Sequence, residues 1–355
     1  MSYDRIADLS LTIDDVSMAR LERETSSGFT RVTTEFSFEG PGPEGEPVEG
    51  RGEDVTYETE DHDALAESGL PDLTGEYTID SLSSRLADLD LFPAGAPDRE
   101  VFRNYRQWGL EAAALDLALR QAGTDLASRL ETEYEPVRFV ASTRLGDDPS
   151  TDRVEALREA VPGLELKLDP TPEWDAALVE ELAAIDAVRI LDLKGQYSGT
   201  EVDVEVSPEL YERLIEGFPD AVLEDPALEA GTEELFEDEA VRSRTSWDAP
   251  IHGLEDVQEL PWEPEWLNIK PSRFGSLESL LETIDYCQER GMTLYGGGQF
   301  ELGVGRGQLQ ALASVFYPDT PNDVAPGAYN DPEVTGELPA SPLEPPADLE
   351  GFRWS

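Results

Sequence analysis

Lys167, Lys194 and Lys270 are the only lysines in 355 residues, and each closes a short apolar run: LELKLD (164–169), RILDLKG (189–195) and LNIKPSRF (267–274). A run of this kind rarely ends in lysine unless the ammonium has a partner or a task. Carboxylates close the neighbouring runs, with Asp192 in RILDLKG, Glu224 and Asp225 in VLEDP, and Asp248 in SWDAP. Three convergent carboxylates hold a hard divalent cation and leave positions for water and substrate, which suits Mg²⁺. Beside such a centre, positive charge lowers a lysine pKa, so that the free amine can take a proton from a carbon acid. Lys167 and Lys270 are therefore the catalytic candidates, and Asp192, Glu224 and Asp248 the metal candidates. Lys194 is either a salt-bridge partner of Asp192 or Glu224 or a group that meets the substrate. Gly297 and Gly298, in YGGGQFELGVG (295–305), let backbone amides approach an anion or simply make a tight turn.

These residues need a frame that brings strand ends together. The segment 105–123 has the spacing of a strong helix, stopped by Gly123. Strands are predicted at 137–141, 164–168, 188–193, 221–224, 244–248, 267–270 and 292–295, with a poorly marked eighth at 323–326. Their centres recur about every 25 residues, the rhythm of βα units and a parallel sheet. Eight such strands close a barrel, whose chemistry sits at the C-terminal strand ends; the second and sixth then lie opposite, so Lys167 and Lys270 face one another across the mouth. An open doubly wound sheet would want a glycine-rich turn after its first strand, and STRLGDD (142–148) lacks one.

Residues 1–100 read as a small α+β domain, with strands at 28–38 and 53–58, a loop over GPGPEGEPVEGRG (40–52) and a helix at 79–89. Arg31 either reaches the mouth from this domain or lies on the surface. The barrel is expected over 101–330. The tail 331–355, with five prolines, either packs back on the first domain or stays loose. The chain sets 78 Asp plus Glu against 26 Lys plus Arg, a net charge of −52. That surface disfavours nucleic acid and anionic membranes and makes sense where high salt screens it, as in a halophile. No apolar run approaches a membrane span, and residues 1–25 carry acids where a secretory signal has an apolar core, which points to the cytoplasm. Cys287 has no cysteine partner, and His62 and His252 are the only histidines, so a disulfide, Ser-His-Asp chemistry and a histidine-rich zinc site are all disfavoured.

The ordered series YRQWGLEAAALDLAL, LELKLD, RILDLKG, VLEDP, SWDAP, NIKPSRFGS and YGGGQFELGVG resembles the enolase superfamily, in its muconate-lactonising and o-succinylbenzoate-synthase-like branch. YGGGQFE and DLKGQY are also similar to methylaspartate ammonia-lyase, another member. The resemblance implies a modified TIM barrel, (β/α)7β, with an N-terminal α+β capping domain. By position, Asp192, Glu224 and Asp248 match its Mg²⁺ ligands on strands three to five. Lys167 matches the second lysine of its Lys-x-Lys, Lys270 its sixth-strand lysine, and Glu301 a glutamate lining the pocket. Departures are Glu165 for the first lysine, Lys194 where asparagine is common, Ser276 for a glycine, and a lone Asp248. The implied activity is abstraction of the proton α to a small substrate's carboxylate, through an enediolate, with a lyase, epimerase or cycloisomerase outcome. The alternative is a degenerate barrel that binds a small acid or serves as an assembly subunit; a homo-oligomer is compatible with either.

Overall fold

The computed structural model describes residues 1–146, 148–197, 206–229, 231–334 and 337–354. The N-terminal part is built on an antiparallel sheet of β2 (Asp15–Glu24), β3 (Thr30–Pro41) and β4 (Pro47–Asp54), beside a two-stranded sheet of β1 (Ser10–Ile13) and β5 (Gly75–Thr78). Helices α1 (Thr59–Ser68), α2 (Ile79–Ala87) and α3 (Val101–Gln121) complete this layer.

Strand β4 occupies much of the expected loop at 40–52, and the expected strand at 53–58 is only its end. Glycine signals a loop, but here it serves packing. A Cβ on Gly50 would stand 2.3 Å from the backbone nitrogen of Leu117, and one on Gly52 2.0 Å from the carbonyl of Gly109, so only glycines let β4 lie flat on α3. The strand stops because Asp54 accepts hydrogen bonds from the backbone and hydroxyl of Thr56, at 3.0 and 2.7 Å, which turns the chain.

The second layer is a parallel sheet of β6 (Val140–Thr143), β7 (Glu165–Leu168), β8 (Val188–Asp192), β9 (Val222–Glu224), β10 (Thr245–Trp247), β11 (Trp266–Ile269) and β12 (Thr293–Gly296), hydrogen-bonded in sequence order. Val140, Ile190, Val222 and Tyr295 pack inside it. Register places Asp192 beside Glu224 on β8 and β9. The first strand begins later than residue 137, because Val137 pairs with Leu343 of the tail instead.

No strand forms at 323–326. Asn322 closes the curl in its place. Its carbonyl accepts from Val140 N–H at 2.9 Å, its Oδ1 accepts from Gly296 N–H at 2.7 Å, and Asp323 N–H donates to Gly296 carbonyl at 2.8 Å. One residue thus bridges the first and last strands, the edges an open sheet would expose. Asn322→Leu should cost about 2–4 kcal/mol, because buried backbone groups lose their partners. Urea denaturation at fixed salt measures it, and a cost below about 1 kcal/mol would show that closure does not depend on this side chain.

Two clasps hold the layers together. Glu53 of β4, buried, accepts from the N–H groups of Leu302, Gly303 and Gly305 at 2.7, 3.0 and 2.9 Å, at the start of helix Val304–Phe316. The tail returns to α3, where Phe352 N–H and Arg353 Nε both donate to the Asp116 carboxylate. No helix among the described residues is long and apolar enough to cross a membrane.

Candidate active site

The strand ends bring Lys167, Asp192, Lys194, Glu224, Asp248 and Lys270 together at one end of the sheet. Lys167 Nζ lies 2.5 Å from Glu224, 3.3 Å from Asp192 and 3.4 Å from Asp323. Lys270, which follows β11 and caps the short helix Pro271–Phe274, places Nζ 2.8 Å from Asp248 Oδ2. Lys194 Nζ donates to Asp192 Oδ2. Among the described residues, Asp192, Glu224 and Asp225 form the group of three acids in which one carboxylate oxygen from each lies within 4.8 Å of the others. Asp225 thus stands in the tightest group where Asp248 was expected. Asp248 is drawn toward Lys270 and Arg273, and its Oδ1 is buried without a partner.

The electrostatics follow from burial and crowding. Burial disfavours the Lys167 ammonium, yet Glu224, Asp192 and Asp323 outweigh it and hold the group well above the usual lysine range. Burial, with the like charges of Asp192 and Asp248, pushes Glu224 up to about 8, against the pull of Lys167. The two shifts oppose one another across one contact. At 2.5 Å the ion pair prevails at neutral pH, and the rise of Glu224 records the surplus of carboxylates around it. Burial and then Asp248 push Asp225 up to about 7. Asp192 and Asp248 go the other way: burial opposes their charge, but Lys194 and Lys167 hold the first, and Arg273 and Lys270 the second, well below the carboxylate range.

Two family profiles match the chain, described as Domain of unknown function (DUF8230) N-terminal domain over residues 4–129 and C-terminal domain over residues 133–331. The chain belongs to the DUF8230 family. Its fold is that of the enolase superfamily. The dipeptide epimerase from Methylococcus capsulatus, solved with Mg ion, is 18% identical with a TM-score of 0.66, covering 90% of this chain and 91% of that one. The muconate lactonizing enzyme from Pseudomonas putida is 18% identical with a TM-score of 0.62, covering 88% of each. Among curated relatives, o-succinylbenzoate synthase of Bacillus subtilis is 42% identical over 59 residues, and that of Geobacillus stearothermophilus 22% over 234 residues. The matched stretches span 17% and 64% of this chain, and only 16% and 60% of those relatives.

A divalent cation fits the donor set of this DUF8230 chain. Asp169, Asp192, Glu224, Asp225, Asp248 and Asp323 set six carboxylates against five cations, Lys167, Lys194, Lys270, Arg144 and Arg273, a formal surplus of one negative charge. The donors are all oxygen, and Asp248 Oδ1 is an orphaned ligand atom. Asp225 is less free than its position suggests, since its two oxygens accept from the N–H groups of Asp248 and Ala249 at 2.8 and 2.9 Å.

The remaining candidates have specific places. Gly297 donates its N–H to Ile269 carbonyl at 3.0 Å, so that amide is not offered to an anion. Glycine is needed there for space: a Cβ would lie 2.4 Å from Asn268 Oδ1 and 2.9 Å from Lys270 Cε. A Cβ on Gly298 would lie 2.5 Å from Glu301 Oε2. Glu301 is pinned by its own loop, accepting from Gln299 N–H at 2.6 Å and pairing with Arg306 at 3.0 Å. Arg31 is not on the surface. It is buried, with its guanidinium on the carbonyls of Val32, Val55, Thr56 and Gln299.

Several contacts went unread in the sequence. Tyr295 Oη at 2.5 Å and Asn268 Nδ2 at 3.2 Å both donate to Glu224 Oε2, which orients that carboxylate. Arg273 and Tyr197 share Asp248 Oδ2, at 3.2 and 3.0 Å. Asn268 and Arg273 flank Lys270 in LNIKPSRF, and a polar residue inside an apolar strand is the signal that marks the first of them.

Proposed function

We propose that this protein removes the proton α to the carboxylate of a small carboxylic acid in a Mg²⁺-dependent reaction. The observation that carries the reading is that Lys167 of β7 and Lys270, just past β11, border a buried cluster in which carboxylates outnumber the cations by one. Asp192, Glu224 and a third acid, Asp248 or Asp225, would hold the ion. When bound, Mg²⁺ supplies charge that attracts the substrate carboxylate and makes the adjacent C–H more acidic. The lysines divide the work. Lys167, gripped by three acids, stays an ammonium and steadies negative charge as it develops. Lys270, whose one carboxylate contact among the described residues is Asp248, is the amine that takes the proton. Elimination, epimerisation and cycloisomerisation can all follow that step, and the names of the similar proteins span such outcomes.

The test is a panel of carboxylic acids in D₂O with Mg²⁺ at high salt, with α-proton exchange followed by NMR. Exchange that stops with chelator and returns with MgCl₂ supports the reading. Folded protein that binds Mg²⁺ but exchanges no acid supports the second reading, a barrel that binds a small acid without turning it over. The observation favouring that second reading is the Lys194 ammonium on Asp192.

A further inference from the structure

Lys194 sits two residues after Asp192 with φ of 55°, a left-handed conformation few non-glycine residues adopt. The fold-back makes one residue hold one carboxylate twice: the ammonium meets Asp192 Oδ2, and the backbone N–H reaches Oδ1 at 3.3 Å. On its other side the ammonium stands 3.6 Å from Asp169 Oδ2, just past the end of β7. Asp169 is 9% exposed; its Oδ2 accepts from Arg144 Nε at 3.0 Å, while its Oδ1 is buried with no hydrogen-bond partner. A buried carboxylate oxygen beside an ammonium and lacking a partner is a prepared acceptor. Of the two acids flanking Lys194, only Asp192 belongs to the clustered metal-competent group.

We infer that Lys194 is a displaceable counter-ion of the metal site, pairing with Asp192 and passing to Asp169 when a divalent cation takes that carboxylate. The inference rests on the metal reading above. Ammonium and metal compete for the same carboxylate oxygen, and their mutual repulsion favours transfer. The flexible four-carbon stem allows a shift that a planar guanidinium would resist. Asp169 keeps the lysine's charge compensated after it moves, so the exchange leaves no unpaired buried cation. In this role Lys194 tunes the site's affinity for metal without touching the substrate.

The experiment is calorimetric titration of MgCl₂ into the full chain, stripped of metal and kept in fixed high salt, with circular dichroism confirming each variant's fold. Lys194→Met should tighten Mg²⁺ binding by roughly tenfold or more, since a competing unit charge is removed. Asp169→Asn should weaken binding markedly more in the wild-type background than in Lys194→Met, a coupling that general loss of packing would not produce. Equal or weaker binding by Lys194→Met overturns the inference while the metal reading stands. Lys194 also loses the proposed role if Asp169→Asn acts alike in both backgrounds. Should Lys194→Met fail to fold, Asp169→Asn alone decides, because undiminished affinity would refute the transfer. Absence of Mg²⁺ binding in every folded variant would overturn the metal reading itself.

Discussion

Lys270→Ala should lower α-proton exchange by about 10²–10⁴-fold, the usual contribution of a positioned general base. Mg²⁺ affinity should change far less than exchange, because Arg273 still pairs with Asp248 at 3.2 Å when the lysine is gone. Lys167→Ala is the informative contrast. It strips a cation from three carboxylates, so it should reduce stability and alter metal affinity along with turnover. Gly297→Ala probes the same point without deleting the amine, since the new methyl would press on Lys270 Cε and Asn268. It should cut exchange while leaving the fold intact. Full turnover in Lys270→Ala would sink the proposed role.

The sequence was most legible where chemistry and strand ends coincide. Lys167, Asp192, Glu224, Asp248 and Lys270 converge because each ends a parallel strand or follows it directly, and apolar runs at a regular interval make that sheet readable. Legibility failed where tertiary partners decide. Gly50 and Gly52 read as loop, since nothing local announces that a helix will press on them. Asn322 closes the barrel through a side chain, so no run of apolar residues marks it. The pairing of Val137 with Leu343 joins residues too distant in sequence for periodicity to reveal. At the site, local reading identified the acids and lysines and offered Asp192 as a partner of Lys194, but it did not find the partners of Lys167, Lys270 and Asp248. Whether Asp248 or Asp225 stands nearest Asp192 depends on Arg273 and on backbone amides of a turn, not on spacing.

The largest stability effect should lie in the cap, at Arg106 and Asp54. Arg106 is 1% exposed, and its Nε donates to Asp54 Oδ2 at 2.8 Å. Its other nitrogens donate to the carbonyls of Leu91 and Asp61 at 2.8 and 3.1 Å, and its guanidinium stacks 3.7 Å from the centre of the Phe92 ring. One side chain therefore ties the end of β4, the start of α1 and the segment before α3. Arg106→Met should cost about 3–5 kcal/mol at pH 7, because it leaves Asp54 charged, buried and unpaired. The pH dependence fixes the cause. Burial opposes ionisation of Asp54, yet Arg106 and then His62 hold its carboxyl below the usual range. In the wild type, this stabilisation is complete above the unfolded value of about 3.9 and is lost as pH falls through the lower folded value. In Arg106→Met burial dominates and the folded carboxyl rises above the unfolded one, so the variant regains stability as pH falls through that raised value. The gap between the two proteins should therefore narrow on acidification, read by urea denaturation at fixed salt at pH 7 and pH 5. Adding Asp54→Leu to Arg106→Met should recover much of the loss, since an apolar pair needs no counter-charge. A gap independent of pH would assign the cost to lost packing over Phe92 rather than to the ion pair.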